Sequence, residues 1–471
     1  MTEHDVADWL REKALTLLAG NVNMGAMEDA LTRVSTESRR IALERMVRDS
    51  VKDHPLNCPV CGQALNVVSY NRWRNPVTSF GRISFARSYG TCTKCADHFY
   101  PADATLGLQR RAPSSPRIQE ICALTTLRAP AGQAEEDVYR LTGVSIDSSS
   151  LHREARRQGE RALRLREADE RLAQTPEGVQ ELAARAPQSP KYSTLVIEID
   201  AWNIRERDNW GETEALVKEG KDTGRWHWVY TATLFRLDQR GSTEAGRPVI
   251  TQRGYVATRK GIDSFQHQIY AEALQRGLMN AETVLVLADG AVWIWNLIAD
   301  RFPRARQRVD LYHVKEHLWN LAHELHRNDP QGAALWVRPY LQWLDTRKEG
   351  ALDVIRTLGE LRENSEVFSR RERKAIAREE EYFKEHKDRM DYKTGKALGQ
   401  PVGSGAVEST CCQYQRRFKI TGQFWSLAGD EAFLALSTLH RNGRWSRIFP
   451  HDTCRSPAGR KQRPSDEPLQ N

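Results

Sequence analysis

The chain has 471 residues, carries 70 Lys and Arg against 62 Asp and Glu for a net charge of +8, and is 28% charged and 39% hydrophobic. That composition suits a soluble multidomain protein and excludes a disordered or fibrous one. No run of about 18 apolar residues offers a membrane span, and the first residues lack the apolar centre of a signal peptide, so a cytoplasmic protein with no membrane partner is expected.

The basic excess permits nucleic-acid binding by phosphate neutralisation without demanding it. In chain order, residues 1–52 read as a helical segment. A small domain at 53–105 follows, marked by CPVCGQAL (58–65) and CTKC (92–95). Cys58, Cys61, Cys92 and Cys95 form two Cys-x-x-Cys pairs, and strand-like runs between them read as hairpin arms. Paired cysteines in a reducing compartment point to metal rather than to disulfides. Four thiolates on two such turns suit a tetrahedral zinc, and because no coordination position stays open, the zinc is expected to be structural. A zinc ribbon of this kind serves DNA binding, positioning, or the stability of a small domain.

Residues 106–175 are expected to form a DNA-binding region in which 117–160 read as helices, and AEEDVYRLTGVSIDSSSLHREARRQG has the rhythm of a helix-turn-helix. Ala134, Val138 and Leu141 are expected to line the first helix, with Gly143 in the turn and a serine-rich cap opening the second helix near Ser148. That second helix presents Arg153, Arg156 and Arg157 to phosphates or base edges. The stretch 176–192, with several prolines and no strong apolar period, is expected to be a linker.

From 193 to 446 the pattern becomes α/β. TLVIEID (194–200) is an apolar strand expected to end on Asp200, followed by strands at 225–237 and 247–258 and a helix at 264–278. The fourth strand, TVLVLADG (283–290), ends on Asp289, and a short fifth ends at Asp310. Three strands, then helix and strand in alternation, is the order of an RNase H-like fold, a mixed five-stranded sheet with flanking helices in which the first strand lies beside the fourth. Asp200 and Asp289 would then meet. Paired carboxylates hold hard divalent cations, and two such ions can clamp the attacking and leaving oxygens of a phosphodiester.

A third acid is expected at Glu408, in the first turn of a helix that follows GSG in PVGSGAVESTCCQYQRRFKITGQFWS (401–426), where the helix dipole favours a carboxylate. The same segment carries Arg416, Arg417 and Lys419, suited to DNA phosphates. Between Asp310 and this segment, residues of about 318–400 read as a helical insertion. Asp208 competes with Asp200, and Asp310 with Asp289, for the metal-ligand roles.

The motifs IDAWN, ADGAVWIWNLIADRFPRARQRVDLYHVKEHL and GSGAVES resemble those of bacterial insertion-sequence transposases of the DDE class, in particular the ISKra-type family with its Mutator-like layout. The resemblance runs from about residue 190 to 446. It implies Asp200, Asp289 and Glu408 as the catalytic triad, two Mg²⁺ (or Mn²⁺) ions, and strand cleavage followed by strand transfer. His313, spaced from Asp310 as in DLYH, would support the site. Double-stranded DNA, both the element's terminal inverted repeats and the target, would be the partner of a homodimer or larger homo-oligomer in the bacterial cytoplasm. One departure stands out: Ala201 follows Asp200 where glycine is the commoner residue.

Two other readings remain open at this stage: a catalytically inactive descendant that keeps its DNA-binding ribbon and helix-turn-helix, and an RNase H-like nuclease that cuts without joining. Trp336 and Trp343, seven apart, read as core residues of the insertion before they read as base-stacking platforms. The mixed charges of SRRERKAIAREEEYFKEHKDRM read as a solvated helix face. The basic, proline-containing stretch 447–471 reads as a disordered tail.

Overall fold

A computed structural model describes residues 3–18, 23–110, 112–207, 213–220, 225–246, 248–363 and 365–450. Asp208 and the tail from residue 451 lie outside the described residues. The chain divides into two compact units, residues 1–158 with 446–471, and residues 159–445.

The first unit opens with helices α1 (Glu3–Leu17) and α2 (Met24–Lys52). Strands β1 (Asn66–Arg74), β2 (Val77–Thr78), β3 (Gly81–Arg82), β4 (Phe85–Cys92) and β5 (Asp97–Phe99) follow, then α3 (Pro101–Thr105), α4 (Pro116–Arg128) and α5 (Ala131–Thr142). β1, β4 and β5 form an antiparallel sheet with β4 in the middle, and β2 and β3 form a small hairpin. The hairpin arms expected between the cysteine pairs are thus present. Helix α6 (Ser148–Leu172) carries the chain across the boundary between the units.

Ile118 and Cys122 of α4, Ala134 and Val138 of α5, and Val144 and Leu151 pack into one small core. Leu141, expected in that core, is 80% exposed. Helix α5 ends at Gly143 in the left-handed conformation, and Val144 beyond the turn takes up the core position instead. Helix α6 is opened by Asp147, whose Oδ1 accepts from Ser150 N–H, rather than by the serines.

The second unit contains α7 (Pro176–Ala184), β6 (Tyr192–Glu206), α8 (Thr213–Lys218), β7 (Arg225–Arg236), β8 (Arg240–Ser242), β9 (Pro248–Ile250), β10 (Gly254–Thr258) and α9 (Ile262–Gln275). It continues with β11 (Ala281–Ala288), α10 (Val292–Arg301), β12 (Arg306–Val309) and α11 (Leu311–Leu325). Then come α12 (Pro330–Thr346), α13 (Gly350–Glu363), α14 (Arg370–His386), α15 (Tyr392–Ala397), α16 (Gly405–Phe418) and α17 (Leu427–Arg441). The stretch expected as a linker instead holds α7, capped by Thr175 with Pro176 in its first turn. Its Leu182 is fully buried against Ala271 and Leu274 of α9.

The main sheet has the order β10-β7-β6-β11-β12. β7 pairs antiparallel with both β10 and β6, while β11 runs parallel to β6 and β12. β6 and β11 are buried on both faces through Leu195, Val196, Ile197, Leu285, Val286 and Leu287, as central strands require. One large core joins Ile197 and Ile199 of the sheet to α9 and α10, and extends into α11 through α14, where Val337, Leu344, Leu358 and Phe383 are buried. Trp336 and Trp343 pack against this core on either side of Tyr340, with ring centroids 4.5 and 5.3 Å away, as expected of core residues.

Candidate functional site

In the first unit the four cysteine sulfurs lie within 4.8 Å of one another. Cys58 and Cys95 are 3.8 Å apart, and Cys61 and Cys92 3.5 Å. A tetrahedron with metal–sulfur bonds of about 2.3 Å has edges of about 3.8 Å, so the spacing fits a zinc ion and is far too long for disulfides. Each Cys-x-x-Cys pair ends in a left-handed residue, Gly62 (φ 74°) in one turn and Ala96 (φ 52°) in the other. That bend turns main-chain amides toward sulfur: Val60 N–H donates to Cys58 Sγ and Cys95 N–H to Cys92 Sγ, both at 3.4 Å. The Gln63 amide draws the Cys61 thiol down to about 7, while its hydrogen bond with Cys61 pushes Cys95 up to about 12. Four thiols crowded so that they share protons are a donor set suited to a thiophilic cation.

Of the arginines expected to read DNA from α6, Arg153 and Arg156 are exposed, and Arg153 donates to Ser150 Oγ. Arg157 is half-buried and pairs with the buried Glu154, so its charge is first of all the counterion of that carboxylate. Exposed arginines on a helix that follows a glycine turn are compatible with phosphate contact.

In the second unit the sheet positions the acids. The last pair of the β6–β11 ladder is Glu198 with Leu287. Two residues beyond that pair stand Asp200, still on β6, and Asp289, just past the end of β11, so the two aspartates lie at the same end of adjacent parallel strands. Contrary to expectation, β6 does not end at Asp200. Its antiparallel pairing with β7 runs on to Glu206, and only the parallel pairing stops. Asp200 therefore sits where β6 outruns its neighbour. Ala201 N–H donates to Asp200 Oδ1 (2.7 Å), and Cys411 hydrogen-bonds its carboxylate.

Burial raises the Asp200 pKa, and the negative charges of Asp289 and Glu408 raise it further. Asp289 leaves β11 at Gly290, whose φ of 106° excludes most side chains. Its Oδ1 accepts from Ala291 N–H (3.0 Å), so it turns the chain into α10 as well as facing Asp200. Glu408 is exposed in the first turn of α16, with its Oε1 3.1 Å from Ser404 Oγ. Among the described residues only the cysteines bring three ligand atoms within 4.8 Å; the three carboxylates are electrostatic neighbours with a wider spacing.

Asp310 is committed elsewhere. It is fully buried at the N-terminus of α11, accepting from Tyr312 N–H (2.5 Å) and His313 N–H (3.0 Å) through Oδ1 and from the Ser404 amide and hydroxyl through Oδ2. With both oxygens occupied it is a cap that ties α11 to the start of α16, not a free ligand. His313 is exposed in the first turn of α11.

Among the DNA-contact candidates beyond Glu408, Arg416 and Lys419 are exposed, but Arg417 is half-buried between Trp425 and Phe433, 5.5 and 5.4 Å from their ring centroids. Burial lowers its pKa to about 10. It braces the core and is not placed for phosphates. Lys419 Nζ donates to Asn203 Oδ1 (3.0 Å) on β6.

Three groups of residues near the acids are not evident from sequence. Glu198, fully buried on β6, accepts from Ala406 N–H and Val407 N–H, both at 2.9 Å, and so fastens the start of the helix that carries Glu408. Burial pushes its pKa up to about 8, against the pull of those two amides. The second group comes from α14, read in sequence as a solvated face but in fact burying Ala375, Ile376, Glu379, Phe383 and His386. Tyr382 and His386 stand beside Gly290, each 3.5 Å from where a side chain on that glycine would begin. Burial lowers the His386 pKa, favouring the neutral ring. Third, His317 of α11 stacks on Tyr382 with centroids 3.8 Å apart, and its Nδ1 lies 2.6 Å from Glu379 Oε2.

No family model matches this chain, and no curated protein matches it. Among solved structures, the Drosophila P element transposase strand transfer complex is similar at 11% identity and a TM-score of 0.23, over 75% of this chain and 83% of that one. An overlap that shallow assigns neither fold nor activity, so the class of protein rests on the residues of this chain.

Proposed function

We propose that the second unit is an RNase H-like phosphoryl-transfer core and the chain a DNA transposase of the DDE class, of the ISKra-type layout that its motifs resemble. The observation that carries this reading is that Asp200 and Asp289 stand two residues beyond the last pair of two adjacent parallel strands, with Glu408 close enough that its charge and that of Asp289 both raise the Asp200 pKa. Carboxylates crowded in this way are costly unless a cation neutralises them. Their oxygen donors suit Mg²⁺ or Mn²⁺ in preference to softer metals.

Asp200, Asp289 and Glu408 would hold such ions. When bound, divalent ions there neutralise the phosphodiester and favour ionisation of the attacking hydroxyl. The protein's own contribution is positional. β6 and the end of β11 place two acids, and Glu198 and Asp310 fix the N-terminal turn of α16 and with it the third. In the first unit, the zinc ribbon and the exposed arginines of α6 would bind the ends of the element, with a homodimer or larger assembly pairing two ends.

The test is incubation of purified protein, Mg²⁺ and a duplex bearing the element's ends, with Asp289→Asn alongside. Strand cleavage and joining in the wild type, lost in the variant while DNA binding persists, is the expected result. Binding without cleavage in the wild type would instead identify an inactive DNA-binding descendant, and cleavage without joining a nuclease.

A further inference from the structure

Helices α11 and α14 enclose an open groove of about 1000 Å³ on the second unit, whose polar and charged lining is Asn320, Glu324, Arg370, Arg371, Lys374 and Arg378. Four of these six side chains are cationic, and the one carboxylate, Glu324, is already held by Arg327 and Arg371. Arg378 also pairs with the buried Glu379. Arg370, Lys374 and Arg378 recur four residues apart along one face of α14, and all are exposed. From Arg370 to Arg378 the helix rises about 12 Å.

Beyond the groove, the helix that carries its cations runs on toward the acids. One turn beyond Arg378 on α14 stands Tyr382, which borders Gly290 next to Asp289, and one turn before Asn320 on α11 stands His317, stacked on the Tyr382 ring. The Tyr382 hydroxyl is buried without a hydrogen-bond partner.

We propose that this groove is a phosphate track for the DNA strand that leads to the carboxylates, with Arg370, Lys374 and Arg378 neutralising successive phosphates. The choice of DNA as its ligand rests on the transposase reading. The groove's volume and charge stand independently of it.

The test is the salt dependence of binding to a short mixed-sequence duplex, measured on the full zinc-loaded chain without added divalent cation. Each phosphate contact contributes about 0.9 to the slope of log K against log salt. Replacing Arg370, Lys374 and Arg378 together with glutamine is expected to flatten that slope by about 2.7, and Lys374→Gln alone by about 0.9. A control with the same loss of charge, Arg347→Gln with Lys348→Gln and Arg356→Gln, should leave the slope unchanged. If the parent binds and the triple variant keeps its slope, or the control flattens equally, the track is wrong and the transposase reading stands. If the parent does not bind duplex DNA, both fall.

Discussion

Replacing Glu198 with glutamine removes a titratable group from under α16 while keeping an oxygen that can accept from the Ala406 and Val407 amides. The carboxyl has its pKa raised from 4.5 to about 8 in the folded protein, chiefly by burial. The folded state therefore holds a proton that the unfolded chain releases at lower pH. Stability from this source is complete below about pH 4.5 and is lost as pH rises toward about 8. Between about pH 5 and pH 7 the loss comes to about 2.5 kcal/mol, roughly seventyfold in the unfolding constant. Urea denaturation of both proteins across that range, followed by tryptophan fluorescence, isolates the effect because every other group is common to the two. The wild type should lose stability relative to Glu198→Gln as pH rises. Parallel pH profiles would refute the reasoning and mean that the two amides outweigh burial and keep Glu198 ionised.

Leu182→Ala, which empties a fully buried position between α7 and α9, should destabilise the second unit by about 2 to 5 kcal/mol; an unchanged denaturation midpoint would restore the linker expected from sequence. Zinc analysis should find one ion per chain and Cys92→Ser should lose it, with collapse of the amide protection of β4 and β5; retained metal in that variant would place the zinc elsewhere. Tyr382→Phe, which removes a buried hydroxyl without a hydrogen-bond partner, should leave the second unit as stable or more stable by thermal denaturation; clear destabilisation would mean that the hydroxyl is partnered.

The succession of elements was legible because apolar runs of strand length alternate with helical periods, and the two aspartates stood out as carboxylates at the close of such runs. What periodicity could not give was where pairing stops. Asp200 lies inside a longer strand because the hairpin with β7 continues after β11 has ended. The role of α14 was hidden by composition. Glu379 and His386 look solvated among so many charges, and only their partners make burial tolerable: Glu379 is held by His317 and Arg378, and His386 is favoured as the neutral ring. Glu198 was read as one more residue of an apolar strand, since its amide partners lie more than two hundred positions away. The Thr175-Pro176 start of α7 was an available helix signal that a proline-rich surrounding obscured.

The central claim is that Asp200, Asp289 and Glu408 act together as one site for divalent cations. The most direct measurement is Mn²⁺ binding to the zinc-loaded chain by electron paramagnetic resonance, compared across Asp200→Asn, Asp289→Asn and Glu408→Gln. Binding in the wild type, weakened by at least about tenfold in each variant, is the result this account predicts. Mn²⁺ affinity that is absent in the wild type, or indifferent to all three substitutions, would contradict it.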